Sequence, residues 1–116
     1  MIKVNEIFFS IQGEGKSTGK LKLFIRTSGC NSKCNFCDTK YHINSRDLND
    51  KDIELLIKHK EWVITGGEPL LQQQTIIDLI NQFKPKFVDI ETNGTIVPKI
   101  DLVTKVSCFN ISPKEA

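Results

Sequence analysis

Short apolar segments of strand length alternate with longer segments of helical periodicity along this chain of 116 residues. Runs rich in Val, Ile and Phe predict strands, whereas apolar residues spaced three or four apart predict amphipathic helices. This alternation is typical of β–α units around a largely parallel sheet, so we expect an α/β fold. The predicted core strands are residues 21–27, 61–65, 87–91 and 106–111, and an additional strand is predicted at 2–10.

Two helices are predicted between these strands. The first begins near Asn49 or Asp50, since either residue suits a helix N-cap. The second begins after Pro69, because proline is favoured at the first helical position. The predicted core-facing residues are Ile53, Leu56 and Ile57 in the first helix, and Leu71, Ile76, Ile77 and Ile80 in the second.

Three of the four cysteines form a C-x3-C-x2-C run, Cys30, Cys34 and Cys37. Three thiolates on a four-iron cluster would leave one iron open to a ligand, and soft sulfur ligands suit iron–sulfur clusters or zinc. Zinc is the alternative, because His42 could complete a Cys3His site. Disulfides fit poorly, since three neighbouring cysteines cannot all pair with one another. The fourth, Cys108, lies in an apolar run and is expected to be a buried, inert thiol.

Polar, glycine-containing motifs stand at the strand ends, and we expect them to converge on one rim of the sheet. In the Gln-Gly-Glu-Gly motif at 12–15, Gln12 and Glu14 could hydrogen-bond a heteroaromatic ring, although a simple turn is the alternative. In the Gly-Gly-Glu-Pro motif at 66–69, the peptide groups and Glu68 could hold an ammonium group. The same four residues could instead begin a helix.

Arg26 is a charged residue among apolar neighbours of the first core strand. A charge in a strand needs a partner, which could be a substrate carboxylate or an internal glutamate.

The composition indicates no special electrostatic partner. The formal net charge is +2 at pH 7, 26% of the residues are charged, and the lysines are dispersed, so no nucleic-acid partner is expected. No apolar run approaches the length of a membrane span. Reduced thiols require a reducing compartment, and we therefore expect a soluble, cytoplasmic protein with a single domain over residues 1–116.

Six short motifs resemble, in residue type and in order, those of the 7-carboxy-7-deazaguanine synthases of the radical S-adenosylmethionine (SAM) superfamily. The cysteine run is shared across that superfamily, whereas the motifs together are similar to those of the synthases. The motifs are Ile11-Gln12-Gly13-Glu14-Gly15, Phe24-Ile25-Arg26, Cys37-Asp38-Thr39, Gly66-Gly67-Glu68-Pro69, Glu91-Thr92-Asn93-Gly94-Thr95 and Ser112-Pro113-Lys114.

The resemblance implies a partial (β/α) barrel and a carbon–nitrogen lyase. The implied reaction is the radical ring contraction of 6-carboxy-5,6,7,8-tetrahydropterin to 7-carboxy-7-deazaguanine with release of ammonia, in queuosine and deazapurine biosynthesis. The implied cofactors are a [4Fe-4S] cluster, SAM and Mg²⁺, and the implied partners are an electron donor such as flavodoxin and a second copy in a homodimer. A glycyl-radical-activating enzyme is the alternative, because those enzymes share the cysteine loop and a similar Gly-Gly-Glu-Pro motif.

The resemblance also assigns roles to individual residues. Cys30, Cys34 and Cys37 would hold the cluster, and Thr39 would bind Mg²⁺ unless it is a simple loop hydroxyl. The implied substrate-binding residues are Ile11, Gln12, Gly13, Glu14, Arg26 and Thr92. The implied cofactor-binding residues are Phe36, Asp38, Gly67, Glu68, Gly94, Ser112, Pro113 and Lys114. Family members usually continue well beyond the Ser-Pro-Lys motif, so we expect the amino-terminal portion of a longer, truncated barrel with an exposed sheet edge.

Overall fold

The computed structural model describes residues 2–13, 19–29 and 45–112, and its strands form one five-stranded sheet. The strands are β1 (Val4–Ile11), β2 (Leu21–Thr27), β3 (Glu61–Gly66), β4 (Phe87–Thr92) and β5 (Cys108–Ile111). The helices are α1 (Asp50–Lys58), a 3₁₀ turn (Pro69–Gln72), α2 (Gln73–Phe83) and α3 (Ile100–Val103). All five predicted strands are confirmed, with small differences at their ends.

The strands lie in the sheet in the order in which they follow one another along the chain. β1 is antiparallel to β2, and the pairs β2–β3, β3–β4 and β4–β5 are parallel. The predicted α/β fold with a mostly parallel sheet is therefore confirmed. The carboxyl ends of β2 to β5 meet at one edge of the sheet, which we call the carboxyl rim.

One face of the sheet packs against the helices. Alternate residues of the central strands point to this face, because side chains alternate along a strand. They join helix residues in a single buried cluster, to which Leu23, Ile25, Trp62, Ile64, Val88, Ile90, Leu56, Ile76, Leu79 and Ile80 belong. The other face carries the intervening residues of these strands, including Arg26, Thr65 and Asp89.

The helix starts follow from local hydrogen bonds. Asn49 is the N-cap of α1: its side-chain oxygen accepts from Asp52 N (2.9 Å), and the Asp52 carboxylate accepts from Asn49 N (3.0 Å). This capping box confirms the predicted start of the first helix.

Among the helices of the described ranges, none has the length and apolar character needed to cross a bilayer.

Three predicted core positions are wrong. Ile57 is 55% exposed, because it lies one residue, or about 100° of helix rotation, beyond the fully buried Leu56. Leu71 is 47% exposed, since it belongs to the 3₁₀ turn and not to the α2 stripe. Cys108 is only partly buried, because β5 has a paired strand on one side alone in the described sheet.

Candidate functional site

A cavity of about 170 Å³ opens at the carboxyl rim. It lies among the ends of β3, β4 and β5, where the chain leaves the sheet. Its lining residues are Thr65, Gly66, Gly67, Glu91, Thr92, Asn93 and Ser112. Two glycines and several hydroxyl, amide and carboxylate groups make this a polar cavity, suited to a ligand with charged and hydrogen-bonding groups.

Gly66 allows β3 to approach β2 closely at this rim. Its φ is +137°, a conformation that residues with a side chain rarely adopt. A Cβ atom on Gly66 would lie 2.3 Å from the carbonyl oxygen of Thr27 and 2.6 Å from its nitrogen. Gly67 N donates to the same carbonyl oxygen at 3.3 Å. The glycine pair therefore brings the loop after β3 against the last residue of β2.

Glu68 connects the loop after β3 to the loop after β4. Its side chain is fully buried, and Oε1 accepts from Asn93 N at 2.7 Å. Oε2 accepts from Leu70 N at 2.9 Å and from the Thr92 hydroxyl at 2.7 Å. Glu68 is also the N-cap of the 3₁₀ turn, with Pro69 at its first position. The alternative that this motif begins a helix is confirmed, and the carboxylate expected to accept from an ammonium group is enclosed by protein donors instead.

The ends of β4 and β5 form a second wall of the cavity. Thr92 O accepts from Ser112 N at 2.9 Å, and Thr92 Oγ1 accepts from Gly94 N at 3.2 Å. Gly94 has φ +77°, and a Cβ atom there would lie 2.8 Å from Ile111 Cγ2. The structure thus brings together three residues that the sequence assigned to substrate or cofactor binding: Thr92, Gly94 and Ser112.

Arg26 lies one residue before the carboxyl rim, beside Thr65 of β3. Its Nε donates to Glu6 Oε1 at 3.0 Å, and its guanidinium carbon lies 5.3 Å from the centre of the Phe8 ring. The side chains of Arg26 and Glu6 are 30% and 55% exposed. Of the two predicted partners for Arg26, the structure therefore shows an internal glutamate.

The predicted convergence of all motifs on one rim is wrong for the motif at 12–15. Because β1 is antiparallel to β2, Ile11 pairs with Leu21, at the amino end of β2. Six residues of β2, at about 3.3 Å each, separate this end from the rim by roughly 20 Å. Gln12 is buried, and its backbone pairs with Lys20 and Gly19 in a hairpin turn. Ile11, Gln12 and Gly13 therefore lie at the sheet edge opposite the cavity.

Several predicted site residues lie outside the described residues: Glu14, Cys30, Cys34, Phe36, Cys37, Asp38, Thr39, Pro113 and Lys114. Segment 30–44, which contains the three clustered cysteines, is flanked by residues at the carboxyl rim. Gly29 O accepts from Glu68 N at 2.8 Å, and the hydroxyl oxygens of Ser28 and Ser45 are 2.9 Å apart. The described residues on either side of the segment, Ser28 and Gly29 before it and Ser45 after it, therefore lie close together near Gly67 and Glu68.

Sequence reasoning missed three residues that line the cavity, namely Thr65, Glu91 and Asn93. Glu91 and Asn93 flank Thr92 in the Glu91–Thr95 motif, and their position at the end of β4 could have predicted that they line the cavity. Thr65 is the last residue of the predicted strand 61–65, so its position at a strand end was the available signal there too, and its pairing with Arg26 places it at the rim.

The ligands that a cluster would need come from the cysteine run, and hydrogen-bonding groups for SAM come from the rim. In the described parts of the chain, no group of three or more His, Cys, Asp or Glu side chains could hold a metal. The three cysteines belong to the segment flanked by this rim, and thiolates are the ligands of iron–sulfur clusters. The polar groups that line the cavity could hydrogen-bond the amino, carboxylate and hydroxyl groups of a SAM-like ligand.

Comparisons with known proteins agree with this geometry. The family model described as the radical SAM superfamily matches residues 24–114. The chain is 43% identical to a 7-carboxy-7-deazaguanine synthase of Bacteroides thetaiotaomicron, over 99% of this chain and 62% of that protein. It is also 43% identical to one of Methanospirillum hungatei, over 95% of this chain and 50% of that protein.

A solved structure, described as the crystal structure of QueE from Escherichia coli, has a similar fold. The TM-score is 0.65 with 27% sequence identity, and the match covers 98% of this chain and 60% of that one. This chain thus spans only part of the length of these relatives. Because the superfamily model covers the sheet from β2 to β5 and the cysteine run, the chain belongs to the radical SAM superfamily, whose members use a [4Fe-4S] cluster and SAM.

Proposed function

We propose that this chain carries the cluster- and SAM-binding part of a 7-carboxy-7-deazaguanine synthase. The proposed reaction converts 6-carboxy-5,6,7,8-tetrahydropterin to 7-carboxy-7-deazaguanine with release of ammonia, in queuosine biosynthesis. The observation that carries this proposal is the polar rim cavity near the residues that flank the cysteine segment, in a chain 43% identical to such synthases.

Cys30, Cys34 and Cys37 are proposed to hold the cluster, which with SAM supplies the one-electron chemistry that starts the reaction. Backbone groups of Gly67 and Gly94, together with Ser112, would bind the polar groups of the cofactor. This assignment is supported by Gly67 and Ser112, which line the cavity, and by the hydrogen bond that joins Gly94 N to the lining residue Thr92. Phe36, Asp38, Pro113 and Lys114 are proposed to complete the cofactor site by resemblance alone. Glu68 would orient the cavity walls without touching the cofactor, because its carboxylate is enclosed.

Arg26 is proposed to bind the carboxylate of the substrate. Its pair with Glu6 is partly exposed, and such pairs contribute only about 0–1 kcal/mol, so a substrate carboxylate could replace Glu6. Thr92 would contribute as an acceptor, since its hydroxyl proton is directed to Glu68. Ile11, Gln12, Gly13 and Glu14 are proposed to contact the substrate by resemblance alone, and the first three lie at the opposite edge of the sheet from the cavity.

The remaining parts of the proposal rest on resemblance. Thr39 would supply one oxygen ligand to Mg²⁺, a hard cation that commonly retains water and substrate oxygens. The electron donor would be a flavodoxin-like protein, the functional unit a homodimer, and the compartment the reducing cytoplasm.

Electron paramagnetic resonance of the anaerobically reconstituted, reduced protein tests this function. We expect a [4Fe-4S]⁺ signal that changes when SAM is added, followed by product formation from the carboxytetrahydropterin. Cys34→Ala should abolish the cluster, whereas Cys108→Ser, the matched control, should retain it. Stoichiometric zinc in a colourless protein would contradict the proposal, and so would a cluster whose signal ignores SAM.

A further inference from the structure

Three consecutive backbone carbonyls immediately before Cys30 are held by one short element. Thr27 O accepts from Gly67 N at 3.3 Å, and Gly29 O accepts from Glu68 N at 2.8 Å. Between them, Ser28 O accepts from the side-chain amide of Gln72 at 3.1 Å. The donors of the first two hydrogen bonds are backbone N–H groups, which almost any residue at these positions would supply. The third depends on a specific side chain, at the end of the 3₁₀ turn.

Gln72 also holds the start of the chain. Its Oε1 accepts from Lys3 N at 2.8 Å, and its Nε2 donates to Lys3 O at 2.9 Å. Lys3 O in turn accepts from Ser28 N at 3.0 Å. One side-chain amide therefore satisfies one backbone donor and two backbone acceptors, on segments 69 and 44 residues away in sequence. Among common side chains of this size, only a neutral amide offers both an acceptor and two donors.

The described residues that follow the cysteine segment, Ser45 and Arg46, contact Ser28 and Val4. Arg46 forms an antiparallel bridge with Val4, with N···O distances of 2.8 and 2.9 Å. The hydroxyl of Ser45 lies 2.9 Å from that of Ser28. The residues before and after segment 30–44 thus contact one another and residues 3–4. Gln72 hydrogen-bonds both Ser28 and Lys3, and so joins this group of residues to the loop after β3.

We propose that Gln72 is a positioning residue that sets where the cysteine segment begins relative to the cofactor-binding backbone at Gly67. The proposal rests on the proposed function, because it assumes that the cluster and SAM meet at this rim. Without the Gln72 amide, the Ser28 carbonyl and Lys3 N lose the Gln72 hydrogen bonds, and Lys3 O keeps only the bond from Ser28 N. Residues 28–29 then shift relative to Gly67, and a ligand that must contact both the cluster and the rim binds less well.

The test compares Gln72→Glu and Gln72→Met with the matched control Gln82→Glu, an exposed position near the end of α2. Gln72→Glu keeps the size but directs a carboxylate oxygen at two carbonyl oxygens, and Gln72→Met keeps the shape without any polar group. We expect unchanged iron content after reconstitution in all variants. SAM affinity, measured by titration of the paramagnetic signal, should fall at least about fivefold in both Gln72 variants and stay unchanged in the control.

Amide hydrogen exchange in the cluster-free protein is a second measurement. It should accelerate at Lys3 and Ser28 in the Gln72 variants, while amides of β3 stay protected. SAM affinity within twofold of wild type, despite faster exchange, would reduce Gln72 to a stabilising role and overturn the proposal. Unchanged exchange at Lys3 and Ser28 would also overturn it. A wild-type protein whose cluster ignores SAM would instead refute the proposed function, an outcome distinguishable from the first two.

Discussion

Replacement of Glu68 by glutamine tests whether this buried carboxylate holds the carboxyl rim together. Three donors point at its two oxygens: Asn93 N at 2.7 Å, Leu70 N at 2.9 Å and the Thr92 hydroxyl at 2.7 Å. Glutamine has the same size but only one acceptor oxygen. In either orientation of the amide, its NH₂ group therefore faces at least one of these donors.

The less costly orientation keeps the oxygen toward Leu70 and Thr92 and leaves Asn93 N facing an NH₂ group. A buried donor without an acceptor costs about 1–3 kcal/mol, and removing the charge weakens the two bonds that remain. We therefore expect Glu68→Gln to lower the free energy of unfolding by about 2–4 kcal/mol. For a domain of this size, the unfolding midpoint should fall by roughly 8 °C or more.

Urea unfolding followed by the fluorescence of Trp62, the single tryptophan, measures this change. The matched control is Glu54→Gln, because Glu54 is an exposed residue paired only with Lys58, and little effect is expected there. The double variant Glu68→Gln with Thr92→Val should lose less stability than the sum of the two single variants, since both remove the same hydrogen bond. A change below about 0.5 kcal/mol for Glu68→Gln would refute the role assigned to this carboxylate.

Three further predictions concern the rim, the helix start and the fourth cysteine. Gly66→Ala should cost at least about 3 kcal/mol in urea unfolding, because its Cβ would meet Thr27 O at 2.3 Å and φ is +137°; wild-type stability would contradict this. Burial raises the pKa of Asp52, but hydrogen bonds from Arg46 and the N-cap backbone, with the Arg46 charge, outweigh it and hold that pKa below the ordinary 3.8. As the pH falls, Asp52 therefore takes up a proton in the unfolded chain before it does so in the folded chain. The contribution of Asp52 to the free energy of unfolding is present above about pH 4 and is lost as the pH falls through the folded-state pKa. Asp52→Asn should remove this part of the pH dependence of unfolding, and an unchanged pH profile would contradict this assignment. Cys108→Ser should leave the iron content of the reconstituted protein unchanged; loss of iron would place Cys108 among the cluster ligands.

Much of the fold could be predicted from local patterns. The strands at 21–27, 61–65 and 87–91 are short segments rich in aliphatic and aromatic residues, and the structure has them within small differences. Asn49 could be predicted as an N-cap, because the capping box that it forms with Asp52 lies within four consecutive residues. Membership in the radical SAM superfamily follows from motifs whose order along the chain is itself sequence information.

The errors arise where helix phase, a local 3₁₀ turn or pairing between distant residues decides which way a side chain faces. The motif at 12–15 was expected at the rim, but the direction of β1 carries it to the opposite edge. Ile57 and Leu71 have core-like residue types, yet helix phase and the 3₁₀ turn expose them. The Glu68 carboxylate was expected to face a ligand, whereas its partners Thr92 and Asn93 come from a strand more than twenty positions later.

Local patterns along the chain specify the strands, the helices and the cysteine spacing, and the order of the motifs identifies the superfamily. The side chains that meet at the rim are set by strand pairing and by contacts between distant segments. Gln72 shows the difference: nothing in its local sequence distinguishes it from Gln73 and Gln74, and only contacts 44 and 69 residues away give it a role. Such pairings depend on strand direction and register, which local periodicity does not encode.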